Sequence, residues 1–369
     1  MGRDRKLLLV HQFALPSVSG VTVMVSELLR LIPTLAPQTD AECQSYQGFR
    51  EPGDLVAALF AKHADTDCVV GINLHIEVGW DFTLELLRWC GRGGKPLYLH
   101  VHDYWPHHRD RVAVLTDQYG ARLLAITPHI ARALMADGFP AVLLPVGVSV
   151  AESPAGRPAA AASAAPRTVA SVGRLVPRKR FPDIVRAFCH AGLGPAAELY
   201  LRVPPSLVYS PEQDRARLQE IQMESRACGT GQTIHVDHSP RVGTDYSRWA
   251  AYLSASEYEG VSMTPIESVL QGCPALISDI PPHRTLIDAL FPGRADEFLF
   301  PVGNHAGLAS LLRDEVQTGW RRAEIAGRQH EIHEQVERLW SLRTTARALA
   351  DLAKGCHAGI YADGGGSAR

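Results

Sequence analysis

The chain has 369 residues, 46% hydrophobic and 21% charged, a composition ordinary for a water-soluble globular protein. A formal net charge of −2 and the lack of a long basic run exclude a nucleic-acid binder, and no apolar run or leading h-region points to an integral membrane segment or a signal peptide. The length suits two domains. The seven cysteines, Cys43, Cys68, Cys90, Cys189, Cys228, Cys273 and Cys356, are odd in number and never in CxxC spacing. Reduced thiols and a cytoplasmic location are therefore expected.

In chain order, Lys6 to Val10 is a short continuous apolar run, as in a buried parallel strand. A loop with Pro16, Ser17, Ser19 and Gly20 follows, then a helical pattern from Val21 to Ile32 that stops before Pro33. Strand, glycine turn and helix open a doubly wound domain. There is no GxGxxG, which argues against a dinucleotide cofactor. Gly20 either admits a phosphate close to the backbone or simply permits a tight turn. Further strands are expected at Cys68 to Ile72, Pro96 to Val101, Leu123 to Ile126 and Ala141 to Leu144. Helices are expected between them, at Leu55 to Lys62, Phe82 to Cys90, Val112 to Tyr119 and Ile130 to Asp137. This alternation makes a parallel α/β sheet. Polar residues fall at the carboxyl ends of its strands, where such sheets bind ligands: His11, Gln12, Asn73, His75, His102, Asp103 and Thr127.

Residues 151–167 are Ala/Pro/Ser-rich and read as a linker. The pattern then restarts. A strand at Thr168 to Val172, a basic loop at Arg174 to Arg180 and a helix at Pro182 to His190 lead to a strand at Ala197 to Leu201. A helix at Gln213 to Ala227, a strand at Thr233 to Val236 and a helix-and-strand pair within Gly243 to Leu253 follow. Helices are expected at Leu308 to Asp314, Trp320 to Leu339 and Trp340 to Lys354, and the Gly-rich end reads as a disordered tail. The expected division is 1–150, linker 151–167, 168–335, a terminal helix in 336–358 that crosses back to the first domain, and tail 359–369. The fold class is α/β, with two doubly wound Rossmann-like domains facing across a ligand-binding cleft.

Two stretches carry chemistry. In Ser171 to Phe188, Arg174 and Lys179 follow a strand in one loop; two cations aimed at one spot suit a diphosphate, and a solvated basic loop is the plainer alternative. In Ser256 to Asp279, Glu259 and Glu267 stand eight positions apart, with Gly260 after the first and a helix-like run ending at Gly272. A loop thus delivers one carboxylate and a helix's first turn the other, with exposed backbone N–H groups between them that favour an anion. A phosphate flanked by hydroxyl-rich groups, as in a nucleotide sugar, matches. The alternative is a structural capping box over Thr264 to Glu267, with Pro265 at the first helical position. His100, His102, His107 and His108 cluster, but no acidic or Cys partner has ligand spacing, so no metal site is expected. Cys273 reads as a small buried residue.

Gly173-Arg174-Leu175 followed by Lys179, then Glu259-Gly260 and Glu267 in Glu-x7-Glu spacing, resembles the retaining GT-B-fold glycosyltransferases of the glycogen-synthase-like and mannosyltransferase-like group (glycosyl transferases group 1). Weaker likeness runs through Gly20, His102-Asp103, Pro145 to Val148 and the Trp340 region. The resemblance implies a retaining, metal-independent transferase that moves a hexose-type sugar from a nucleotide diphosphate sugar, UDP before GDP, to a small soluble or carrier-bound acceptor. It implies that Arg174 and Lys179 bind and stabilise the leaving diphosphate and that Glu267 takes the ribose hydroxyls. Glu259 would face the sugar, and Gly173 with the backbone of Gly260, Val261, Ser262 and Met263 would line the donor site. Gly20 would let the first domain approach the diphosphate, and His102 would lie near the transferred sugar. The nucleotide sugar is a co-substrate, so no cofactor is implied. This chain departs from the group's pattern at Ser19, at Val146, and in YLRVPPS and HVDHSPR near the nucleotide base. A silent nucleotide-sugar-binding protein, or an epimerase or phosphorylase of the same architecture, would share the same grip.

Overall fold

The structure is a computed structural model that describes residues 4–12, 20–47, 49–72, 80–148, 167–205, 210–229, 231–239 and 244–355. The expectations for Asn73, His75, the loop before Gly20, Gly243, the linker through 166 and the tail lie outside these residues. The chain divides into two compact units, 1–149 with 339–369, and 150–338.

The first unit holds strands β1 (Arg5–His11), β2 (Thr39–Ser45), β3 (Cys68–Ile72), β4 (Leu97–Val101), β5 (Arg122–Ala125) and β6 (Ala141–Leu143). They form a sheet in the order β2-β1-β3-β4-β5-β6, and every pairing is parallel. Its helices are α1 (Gly20–Leu35), α2 (Pro52–His63), α3 (Trp80–Arg92), α4 (Arg109–Ala113) and α5 (Pro128–Ala136). α4 runs on into a π-helical turn, Val114–Gln118. The central strands β1, β3 and β4 are buried almost throughout, as uninterrupted apolar runs require in a sheet covered on both faces. β2 was not expected: TDAECQS has no apolar run, and it forms the edge of the sheet.

The expectation that α1 ends before Pro33 is corrected, since the helix continues to Leu35 with Pro33 inside it. A proline forfeits one N–H bond. Here it does so in the last turn, where Thr34 Oγ1 donates to the Arg30 carbonyl at 3.0 Å and Ala36 N to Ile32 at 2.8 Å.

The second unit holds β7 (Thr168–Val172), β8 (Glu198–Arg202), β9 (Thr233–Asp237), β10 (Tyr252–Ser254), β11 (Ala275–Ser278) and β12 (Leu299–Phe300). The sheet order is β12-β11-β10-β7-β8-β9, again with parallel pairing. From β7 the chain winds outward through β8 and β9. It then returns to β10 beside β7 and winds the other way. The strand order therefore reverses between β7 and β10, the place where an open parallel sheet leaves a crevice at its carboxyl ends. Helices α6 (Phe181–Ala191), α7 (Pro211–Ala227), α8 (Met263–Leu270), α9 (Pro281–Leu290), α10 (His305–Thr318), α11 (Trp320–Gly327) and α12 (Gln329–Trp340) complete it. α6 shows why the core forms: Phe181, Ile184, Val185 and Phe188 recur at helical spacing and all are buried. The single helix expected over Trp320 to Leu339 is corrected to two. They meet at Arg328 directly after Gly327, a poor helix former.

The expectation of reduced thiols is also corrected. Cys189, in the last turn of α6, and Cys228, just past α7, form a disulfide with Cα atoms 5.4 Å apart. They stand thirty-nine positions apart in sequence, so spacing carried no sign of the pairing. Cys43, Cys68, Cys90 and Cys273 are free.

The last helix, α13 (Leu342–Ala353), belongs to the first unit and packs on α1. Val148 N donates to the Trp340 carbonyl at 2.8 Å, and Leu342 N to the Val148 carbonyl at 3.3 Å.

Candidate active site

The crevice predicted by the strand reversal is bounded by the loop after β7 and the loop after β10. These carry Arg174 and Lys179 on one side and Glu259 on the other. Lys179 lies in a 3-10 turn, Pro177–Lys179, and its Nζ reaches Glu259 Oε1 at 2.5 Å. Gly173 makes room for that reach, because a Cβ there would stand 3.2 Å from Lys179 Cε. Arg174 is half-buried in the same loop, its carbonyl accepting from Val176 N at 2.8 Å.

The two loops are joined at several points. Glu257 N donates to the Arg178 carbonyl at 2.9 Å, and Arg180 Nη1 donates to Glu257 Oε2 at 3.4 Å. The Arg178 guanidinium lies 5.9 Å from the Tyr258 ring centre. Arg180 is held at φ 50° between the turn and α6, a left-handed conformation that costs a non-glycine residue roughly 1–3 kcal/mol. Its Nε–H to Asp183 at 2.6 Å helps hold it there.

Glu259 is 6% exposed. Burial pushes its carboxyl up, but Lys179 and Arg178 outweigh burial and hold it below its ordinary value, so it stays ionised. Ser256 Oγ donates to the same oxygen, Oε1, at 2.7 Å. Neither donor to Glu259 among the described residues uses Oε2.

Helix α8 starts at Met263, with Ser262 before it. Two expectations are corrected, that Pro265 opens the helix in a capping box and that the helix's first turn delivers Glu267: Pro265 is the third helical residue and Glu267 the fifth, in the second turn. No hydrogen bond among the described residues engages the backbone N–H groups of Gly260, Val261, Ser262 and Met263. Ser262 Oγ is likewise buried without a partner. An orphaned buried hydroxyl costs about 1–3 kcal/mol. Together with open amides at a helix start, it is an arrangement able to take an acceptor-rich anion. Glu267 is half-buried and accepts from Tyr246 Oη at 3.1 Å. Burial raises its carboxyl above the ordinary value, which Tyr246 only partly offsets.

Across β8 and β9, Tyr200 Oη donates to Asp237 at 2.5 Å, and Ser239 N donates to the same carboxylate at 2.8 Å. The Ser239 side chain first, then the Tyr200 hydroxyl and the Ser239 N–H, hold Asp237 at about 2. His238 Nδ1–H donates to the Val203 carbonyl at 2.5 Å. A separate depression of about 480 Å³ in this unit is lined by Arg180, Arg186 and Arg217 over Phe181 and Ile221. Its cations are already matched by Asp183, Glu224 and Asp214.

In the first unit, His102 stands just past β4. His100 Nε2–H donates to the Leu144 carbonyl at 2.8 Å, so His100 Nδ1 accepts from His102 Nε2–H at 3.3 Å. Burial keeps His100 neutral, pushing it down to about 4. His102 therefore has its tautomer set by a buried neighbour. Gly20 is the first residue of α1.

The structure thus brings together Gly173, Lys179 and Glu259, with Arg174 in the same loop, Gly260 to Met263 leading into α8 and Glu267 further along it. Sequence reasoning passed over Ser254, Ser256, Ser278, His283 and Tyr246. The serines at the ends of two apolar strands were the available signal.

No protein-family model matches the sequence, and no curated protein matches it. Solved structures do match its fold. HepE of Anabaena, in complex with UDP and glucose, superposes with a TM-score of 0.71 at 16% identity, covering 95% of this chain and 99% of that one. The sucrose-phosphate synthase of Thermosynechococcus elongatus gives 0.69 at 14%, covering 95% and 98%. The lipopolysaccharide outer core galactosyltransferase WaaB in its apo form gives 0.57 at 18%, covering 95% and 99%. The chain has the two-unit α/β fold of the GT-B glycosyltransferases.

Proposed function

We propose that the protein is a glycosyltransferase that takes a hexose-type sugar from a nucleotide diphosphate sugar, UDP-linked in preference to GDP-linked. The observation that carries this reading is the anion seat at the strand reversal: Lys179 against Glu259, facing open amides and the orphaned Ser262 hydroxyl. The fold shared with HepE, solved with UDP and glucose, supports it.

On this reading Arg174, Lys179 and the amides of Gly260 to Met263 hold the diphosphate, in the role a divalent metal plays in other transferases. As the bond from the anomeric carbon to the β-phosphate oxygen breaks, the electron pair leaves with the diphosphate. Fixed cations and dipoles stabilise that charge more than the ground state's. Glu259 Oε2 takes a sugar hydroxyl and Glu267 a ribose hydroxyl. Retention follows if the acceptor hydroxyl attacks from the leaving-group side and gives its proton to the departing phosphate oxygen. The acceptor is proposed to be a small soluble or carrier-bound intermediate recognised by the first unit, with Gly20 and His102 its contributions. No helix among the described residues is long and apolar enough to cross a membrane. A cytoplasmic setting remains part of the proposal, although the Cys189–Cys228 bridge removes one of its supports.

A panel of nucleotides and nucleotide sugars in a thermal-shift assay tests the reading. UDP and a UDP-sugar should raise the melting temperature. Lys179→Ala should slow UDP release from that sugar by about 10²-fold or more. If no nucleotide in the panel shifts the wild-type melt, the proposal falls.

A further inference from the structure

The Lys179–Glu259 pair is not held by its two members alone. Ser256 Oγ donates to Glu259 Oε1 at 2.7 Å and sits 3.1 Å from Ser254 Oγ. Ser278 Oγ, at the end of β11, donates to the Ser256 carbonyl at 2.5 Å. His283 Nδ1–H, in the first turn of α9, donates to the Ser278 carbonyl at 2.7 Å. Ser256, Ser278 and His283 are all fully buried. These bonds run inward from Glu259 through three elements that meet at the carboxyl edge of the sheet.

A carboxylate with one anchored oxygen presents the other in a fixed direction. Lys179 and Ser256 both take Oε1, so the arrangement behind Ser256 decides where Oε2 points. The ring of His283 is pinned in turn. A carbonyl can only accept, so Nδ1, which faces it, carries the proton and the neutral ring's Nε2 the lone pair. Burial lowers this histidine to about 4, so the ring is neutral near pH 7. Nε2 is buried with no hydrogen-bond partner. Such an orphan destabilises the fold, and a leucine in the same space would avoid it. What the imidazole supplies that leucine cannot is the Nδ1–H bond to Ser278.

We propose that His283, acting through Ser278 and Ser256, is a positioning residue for Glu259. It fixes which carboxylate oxygen faces the ligand, and the set serves recognition of the sugar rather than of the nucleotide. The identity of the ligand rests on the nucleotide-sugar reading above; the hydrogen-bonded set does not. A role confined to packing β10, β11 and α9 would lower stability without separating sugar from nucleotide.

The test uses the full chain as wild type, Ser256→Ala, His283→Leu and His283→Asn, with UDP and UDP-glucose as probes. An asparagine amide can replace the Nδ1–H donor, whereas leucine cannot. Ser256→Ala and His283→Leu should leave UDP affinity within about twofold. They should lower UDP-glucose affinity relative to UDP, and UDP release from it, by about tenfold. His283→Asn should recover most of that loss. If the leucine and alanine variants keep the wild-type ratio and only melt earlier, the role is packing and the proposal is overturned. An asparagine variant as impaired as the leucine variant also overturns it. A wild type that binds neither probe sinks the nucleotide-sugar reading instead, and is seen without any variant. The 15N shifts of the His283 ring read the set with no ligand present. A neutral Nδ1–H tautomer at pH 7 is expected, and an Nε2–H or protonated ring overturns the proposal.

Discussion

Glu259 and Glu267 lie eight positions apart, and their surroundings push them in opposite directions. Cations hold Glu259 ionised despite burial. Burial raises the carboxyl of Glu267, and among the described residues the Tyr246 hydroxyl offsets this only in part. A carboxyl whose folded-state pKa exceeds its unfolded value costs stability above the folded pKa. The cost disappears as pH falls below the unfolded value. Glutamine at 267 would keep an oxygen for Tyr246 and remove the charge. Glu267→Gln should therefore raise the melting temperature at pH 7 by about 1–3 °C, with the gap closing near pH 4. It should also weaken UDP binding by about tenfold, since a neutral amide accepts hydroxyls less well than a carboxylate. A lower melting temperature combined with unchanged UDP affinity would show that the charge serves the fold and not a ligand. Arg174, Lys179, Glu259 and Glu267 stood out in sequence because two cations share the loop after an apolar strand and two carboxylates stand eight positions apart, the spacing of a known motif. Ser256, Ser278 and His283 were not, because a buried serine or histidine looks in sequence like any cap or core residue.

Among elements, those with the simplest physical cause were read best. Continuous apolar runs such as Thr168 to Val172 became strands, at the expected bounds in that case. The polar edge strand β2 and the helix α9, which opens on Pro281-Pro282, lack such a signal. Long-range pairing leaves still less trace, and the Cys189–Cys228 bridge shows it. It ties the carboxyl end of α6 to the residue after α7, and α6 begins right after the Lys179 turn. Closing a loop of this size restricts the unfolded chain by an amount worth about 2–4 kcal/mol. Cys228→Ser should melt earlier than wild type under non-reducing conditions and together with it in excess dithiothreitol. Identical wild-type melts with and without reductant would mean that the bridge contributes nothing to stability.

At the scale of the whole molecule, the first unit is not continuous in sequence. Its sheet is complete by Leu143, yet α13 returns from beyond the second unit to cover α1 and the inner strands. Leu342, Leu349 and Leu352 are buried there with Ala346, Ala350 and Ala353. Thr345 Oγ1 donates to the Pro145 carbonyl at 2.7 Å. Gly147 lies so close to this segment that a Cβ would stand 2.2 Å from the Trp340 carbonyl oxygen. Three buried leucines alone are worth roughly 5 kcal/mol or more, comparable with the whole stability of a typical domain, about 5–15 kcal/mol. A chain cut after Arg338 should therefore lose the first unit's fold and keep the second's. In urea, the full chain should lose ellipticity over both units. The truncated chain should show only the transition seen for an isolated 167–338 fragment, together with premature exposure of Trp89, which is buried in the first unit. If the truncated chain retains protected Trp89 fluorescence at low urea, the first unit closes without α13, and the helix is an accessory to its core.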